Sequence, residues 1–384
     1  MSPLKSPASG APTAAADKPQ SLTDAWVALT GLSAVFLFEM LDNSILNVAL
    51  PAIGRDLHAT TAQLQWVTGT YSVIFGGTML VFSAVVDRFG RRRVMLSGLV
   101  LLVAASLATA AVSSPWQLIA VRAGMGLAAA MTTPLSMALS FRLFDDDSLR
   151  VRALTVISTV GLVGMAIGPV AGGLLLAVAP WQVLLLINVP VGILAYVGIR
   201  AGIAPDTAVD LHPAPIDGLG AALGTTSIVA ALVAPTLFAE GGAGAWQPWA
   251  CSGAAVALLA AFIVRQRTAA EPLIDLRLVA APLVSSGLAY KAATGIATAG
   301  TGYLVTLQFQ LAWGWSASRA AAGMLPQVGT VLAAVVGAGI TEPDWGAERV
   351  AQFNRAAAIG GWALTLCAAG LVLWGFLRAR QRQR

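Results

Sequence analysis

In this chain of 384 residues 57% are hydrophobic and 11% charged, against roughly 45–50% and about 25% in a soluble domain. Such an apolar excess excludes an ordinary water-soluble globule, and it falls in blocks of twenty or more residues bounded by short loops, as bilayer-crossing helices require. The formal net charge of +5 needs no nucleic acid to explain it, because the basic residues are placed as topology signals.

Residues 1–22 are rich in Ala, Pro and Ser, have no apolar stretch ending in a cleavage site, and are expected to form a disordered cytoplasmic tail. Apolar spans of crossing length then run over 24–50, 62–86, 93–112, 115–143, 150–179, 182–199, 217–239, 248–265, 281–311, 317–340 and 355–377. The expected fold is therefore all-α, a polytopic membrane helix bundle of about eleven crossings. With the N-terminus inside, Lys5, Lys18, Arg88, Arg91, Arg92, Arg93, Arg142, Arg150, Arg152, Arg200, Arg265, Arg267, Arg277, Arg349 and Arg355 face the cytoplasm. Up to residue 355 only Arg55 and Arg319 fall outside. That bias sets the orientation in a cell inner (cytoplasmic) membrane. An odd number of crossings nevertheless places Arg378, Arg380, Arg382 and Arg384 outside. Either a late segment does not span, or helices that would restore parity are absent.

Within the spans a few polar residues stand out, since intramembrane charge is costly and faces the bundle interior or a water-filled path. Glu39 and Asp42 lie three residues apart on the first span and share a face; desolvation there favours proton binding. The structural alternative is that Asp42, near the outer end, is hydrated or caps a backbone group. Arg122, on the fourth span, calls for a carboxylate or carbonyl partner, which Asp42 or Glu39 can supply, in a coupling role or in a purely structural ion pair. Lys291 is expected to snorkel. Gly161, Gly164, Gly168 and Gly172 with Gly173 recur on one face of the fifth span, permitting close approach of a neighbouring helix, and Pro169 can kink it. Asp87 to Arg93 joins the second and third spans, with Gly90 supplying a tight turn. Cys251 and Cys367 lie in apolar blocks without metal or redox spacing and read as packing residues. The histidines, His58 and His212, lie in loops. Without a metal cluster, a nucleophile constellation or a phosphate loop, the chain does not read as an enzyme.

Together these residues resemble the major facilitator superfamily, and within it the fourteen-helix drug:proton antiporters. Leu41 to Pro51 is similar to that group's first-helix motif, and Asp87 to Arg93 to the superfamily signature GxxxDRxGRR, with Ser83 in place of its first glycine. Leu118 to Gly126, containing Arg122, resembles the fourth-helix motif, and Gly164 to Gly173 matches GxxxGPxxGG in full. Trp66, Tyr71 and the Trp181 to Gly192 segment with Asn188-Val-Pro190 agree as well. The resemblance implies proton-coupled efflux of hydrophobic or cationic small molecules by alternating access, with a proton gradient as energy source, no cofactor or metal, and a monomer in the lipid bilayer. By the same resemblance Glu39, Asp42 and Arg122 couple protons to substrate. Asp87, Arg88, Gly90, Arg91, Gly164, Gly168, Pro169, Gly172 and Gly173 gate the conformational change, while Asn43, Asn47, Trp66 and Tyr71 are candidates for the cavity wall.

The expected organisation is a tail (1–22), an N-terminal six-helix bundle (23–200), a two-helix central insertion (201–280) and an incomplete C-terminal bundle with a basic tail (281–384). The family pattern continues after Leu325-Pro326 and the next span with three more helices, whereas this chain passes almost directly to Gln352-Phe353. Three spans with loops amount to roughly 80–100 residues. A specific metabolite transporter of the same fold and a truncated, non-transporting remnant remain as alternatives.

Overall fold

Helix starts follow from local chemistry. Thr60 accepts from Gln63 N while the Gln63 side chain reaches back to Thr60, a reciprocal cap that opens α2 (Thr61–Phe89). Ser114 caps α4 (Pro115–Leu143), whose first residue is a proline. Asp146 caps α5 (Asp147–Leu176). Ahead of these stand α1 (Trp26–Asp56) and α3 (Arg91–Ala108), the latter extended by a short 3-10 turn at Thr109–Ala111. After them come α6 (Gln182–Leu186) and α7 (Asn188–Gly202), which together make one span, then α8 (Gly218–Gly241), α9 (Trp246–Thr268) and the short α10 (Leu276–Ala280).

The computed structural model describes residues 19–207, 217–269, 272–282 and 284–289, with a few isolated positions beyond. Expectations for residues 1–18, Lys291, most of 281–311, the spans 317–340 and 355–377, and the tail from Arg378 to Arg384 lie outside the described residues. Among the described residues, seven helices are long and apolar enough to cross a membrane, and α2, at 29 residues, also has the necessary length. The protein is a multi-pass all-α membrane protein.

The first eight expected spans agree with the helices to within a few residues, with one consequential exception. The first was expected to end at residue 50, but α1 runs on through Pro51 to Asp56. A proline removes one ladder hydrogen bond, yet Ala49 and Ile53 on either side of it are completely buried. Their packing carries the helix through.

At the centre is α1, with 67% of its apolar window buried against 11% for α9, so α1 is the core and α9 the periphery. Around α1 pack α4, α5 and α7; α2 lies against α4, and α3 against α4 and α7. The crossing of α1 with α7 is a backbone contact. A Cβ on Gly31 would lie 2.7 Å from Ile199 N, and one on Gly198 equally close to Gly31 Cα, too close for any side chain at either position.

The α8–α9 pair docks on the outside of α2, where a Cβ on Gly77 would meet Val229 and one on Gly224 would meet Leu80 and Phe262. The two helices are tied by Ser227 Oγ donating to Ala255 O at 3.2 Å and Cys251 Sγ to Ala230 O at 3.3 Å, and Trp249 stands edge-on to Phe238. Where the start of α8 meets the end of α9, Arg265 donates to both oxygens of Asp217, which also caps α8 through Gly220 N. The Arg265 hydrogen bonds hold the Asp217 carboxyl below its ordinary pKa. Trp26, Trp116, Trp246 and Trp249 are exposed at helix starts, where indole rings sit at a membrane–water interface.

Candidate functional site

Three helices meet on one carboxylate. Arg122 Nη1 donates to Asp42 Oδ2 at 2.5 Å, and Asn188 Nδ2 donates to Asp42 Oδ1 at 2.9 Å. The three side chains belong to α4, α1 and α7, and their residues are 0%, 2% and 1% exposed. Arg122 Nε donates to Val67 O on α2 at 3.3 Å, and the guanidinium lies 4.5 Å from the centroid of the Tyr71 ring. A fourth helix is thereby attached. Gly126, one turn along α4, permits this: a Cβ there would fall 2.5 Å from Tyr71 O. Buried charge is tolerated when it is paired and hydrogen-bonded, and every group here contributes to that.

Two expectations change. Asp42 is not near the end of its helix, because α1 extends to Asp56 and puts it at mid-helix, away from headgroup water. Tyr71 is not on an open cavity wall. It is 2% exposed and its ring face is taken by Arg122, because a cation over an aromatic face is favourable where water is absent. Asn188, which the sequence offered only as part of a matching segment, is the second ligand of Asp42. Its signal was available: an amide in an otherwise apolar helix must find a partner.

Glu39 stands one turn before Asp42 on α1 and does not share its arginine. It is 8% exposed, and its Oε2 has no hydrogen-bond partner. The Thr133 hydroxyl of α4 stands beside the carboxyl group. Asn43 and Asn47 continue the Glu39 register along α1 at intervals of four, donating to Glu39 O and Asn43 O at 2.9 and 3.0 Å, and both are exposed. Trp66 is half-buried on α2.

The glycine face of α5 meets α1. A Cβ on Gly161 would run into Phe36, on Gly164 into Leu37, and on Gly168 into Ser44; at Gly172 it would just touch Leu184 and Ile45. The helix is continuous through Pro169, and Gly173 is half-buried. The packing is tightest at Gly168, beside Ser44 and two residues from Asp42.

Where α2 passes into α3, Asp87 and Arg91 face each other at 3.9 Å, both well exposed, and Arg88 leans on the Phe89 ring at 6.0 Å. Gly90 has φ +97, a region in which side chains are strained. It also leaves room for Asp206, whose carboxylate accepts from Arg92 N at 3.2 Å and Arg93 N at 3.1 Å. An acidic group at a helix N-terminus answers the orphan N–H groups and the dipole there. Arg92 Nη2 donates to Arg200 O at 2.6 Å, so the ends of α3 and α7 are clasped together. Asp206 lies in a loop far along the chain, and nothing in its local sequence announces this role.

Among the described residues no three His, Cys, Asp or Glu converge to hold a metal ion. A shallow groove of about 430 Å³ lies at the C-terminal ends of α1 and α5, between Arg55, Asp56, Leu176 and Trp181, and Trp181 Nε1 donates to Asp56 there at 2.8 Å.

This arrangement can be set beside known proteins. The family model of the Major Facilitator Superfamily matches residues 32–380. Cephamycin export protein CmcT of Amycolatopsis lactamdurans is 35% identical over 287 residues, 74% of this chain and 59% of that protein. Puromycin resistance protein pur8 of Streptomyces alboniger is 34% identical over 66% of this chain and 50% of its own length. Multidrug efflux pump LfrA of Mycolicibacterium smegmatis is 28% identical over 83% and 62%. The chain thus spans between half and two thirds of the length of these curated relatives. Among solved structures, the human organic anion transporter MFSD10 (TETRAN) superposes with a TM-score of 0.53 at 16% identity, covering 83% of this chain and 72% of that one, a likeness of fold. With a family match over nearly its whole length and the buried α1–α4 charge pair in place, the chain belongs to the major facilitator superfamily.

Proposed function

We propose that this protein exports hydrophobic or cationic small molecules in exchange for protons, by alternating access, from a multi-pass position in the cytoplasmic membrane with its N-terminus inside. The observation that carries this reading is the Asp42–Arg122 pair, buried at mid-helix and closed by Asn188. A proton reaching Asp42 removes the charge that Arg122 and Asn188 hold in place. The α1–α4 contact is then weakened in the layer where the glycine face of α5 grips α1, and the helices can repack. Asp87, Arg91 and the Asp206 clasp are placed to control the cytoplasmic side of that motion. The names of the relatives, export, resistance and efflux proteins, support drug-like substrates.

The test is dye accumulation in inverted membrane vesicles containing the full chain. Uptake driven by an imposed proton gradient, and collapsed by a protonophore, is the expected result. Gradient-independent equilibration would refute proton coupling.

A further inference from the structure

Where α3 begins and α7 ends, a pocket of about 210 Å³ lies between Arg92, Arg93, Leu96, Arg200, Pro205 and Asp206. Three guanidinium groups share it with one carboxylate. The two oxygens of Asp206 accept from the backbone N–H groups of Arg92 and Arg93, so this carboxylate answers the end of α3. Arg92 Nη2 donates to Arg200 O at 2.6 Å, while its Nε is buried without a partner. Arg93 and Arg200 are exposed, and among the described residues neither is ion-paired. The pocket therefore holds a cationic excess and at least one buried donor with no acceptor, an arrangement that native structures keep rarely without a role.

The surface next to this pocket is apolar. Leu96 lies one turn into α3, and Val100, 57% exposed, lies one turn further. On α7, Val197 and Ile193 are 55% and 50% exposed, one and two turns before Arg200. Spacings of three and four residues keep each series on the side of its helix that carries the arginines, and α3 packs against α7. Two apolar tracks thus lead away from one basic pocket.

We propose that Arg92, Arg93 and Arg200 bind the phosphodiester headgroup of an anionic phospholipid, whose acyl chains follow the tracks on α3 and α7. Phosphate oxygens accept charge-assisted hydrogen bonds from the planar guanidinium fork, and basic pockets between membrane helices suit such headgroups. A zwitterionic lipid is disfavoured, because it brings an ammonium group to a site already in cationic excess. The tracks decide between a lipid and a free phosphate ion, since the pocket adjoins surface that lipid tails cover. The bound headgroup adds a third link to the clasp that Asp206 and the Arg92–Arg200 hydrogen bond make between the two helices.

The test is native mass spectrometry of the purified full chain in detergent, with phosphatidylglycerol and phosphatidylcholine of identical acyl chains. Phosphatidylglycerol is expected to bind about tenfold more tightly, of the order of one or two basic side chains near an anionic headgroup. Arg93→Gln combined with Arg200→Gln removes this preference, and each single substitution removes part of it. Both side chains are exposed, so a monodisperse peak after extraction is expected for every variant. Arg267→Gln combined with Arg277→Gln takes the same charge from exposed positions on α9 and α10 and leaves the preference intact. Glycerophosphoglycerol, the headgroup without its chains, does not displace the lipid at equal concentration. Equal binding of the two lipids, a preference that survives the Arg93 and Arg200 substitutions, or an equal loss in the Arg267 and Arg277 control would overturn the site. Displacement by glycerophosphoglycerol at equal concentration would make it a plain anion site and overturn the lipid.

Discussion

Arg122 donates to Asp42 across 80 positions of sequence, at 2.5 Å, with neither side chain reaching solvent. Buried pairs of this kind add little over apolar packing while intact, but breaking one leaves an uncompensated charge, at a cost of about 3–5 kcal/mol.

Asp42→Asn should therefore abolish proton-driven efflux and also lower thermal stability in detergent. Adding Arg122→Gln should recover much of the stability without any recovery of coupling. Unchanged proton-driven efflux in the single variant would make Asp42 a structural residue only.

Gly168→Leu should cost far more activity than Leu175→Ala, because its side chain would have to occupy the space of Ser44 on α1. Leu175 is only half-buried. Efflux normalised to the amount of protein in the membrane distinguishes them, and equal, mild losses would remove the case for α5 as a packed gating face.

At the α1–α7 crossing, Gly198→Val is expected to impair folding outright rather than transport alone, since a side chain there must displace the backbone of Gly31. A collapse of the monodisperse peak after detergent extraction is the expected sign. A variant that purifies and transports normally would show that the two helices can separate freely.

The Asp217–Arg265 tie predicts a pH dependence. Its carboxyl is held below the ordinary value of an aspartate, first by the Arg265 hydrogen bond. A group depressed in the folded state stabilises it fully above the unfolded value, and that stabilisation is lost as pH falls through the folded value. Asp217→Asn should accordingly lower the melting temperature at neutral pH, with the gap to wild type closing only below about pH 4. A gap that persists unchanged at pH 2 would mean that the carboxylate charge plays no part.

Much of this was readable beforehand, because bilayer thickness and hydrogen bonding leave few choices of element. The crossings of the first eight spans, the need of Arg122 for a carboxylate and the close-packing role of Gly161 to Gly172 all follow from residue type and spacing. Spacing identifies a face, however, and not what lies against it. The preference of Arg122 for Asp42 over Glu39, the reach of Asn188 from α7 and the Gly31–Gly198 contact depend on the order in which helices surround α1, which no local pattern encodes. The first helix overruns its expected end for a different reason: the local cost of Pro51 is real, but it is outweighed by the burial of Ala49 and Ile53.

The central position of α1 has a consequence for how the chain is made. It leaves the ribosome first among the helices, yet its partners come later: Arg122 on α4, the glycine face of α5, and Asn188 and Gly198 on α7. A carboxylate near the middle of a lone inserting helix disfavours insertion by about 2.5–3.5 kcal/mol, and α1 carries two. Until residue 188 has been synthesised, Asp42 has no complete set of donors, so α1 must remain sheltered at the insertion machinery or in loose association while more than a hundred residues follow. Ribosomes stalled after α3, after α4 and after α7 should show α1 crosslinking to that machinery in the first state and to its own chain only in the last.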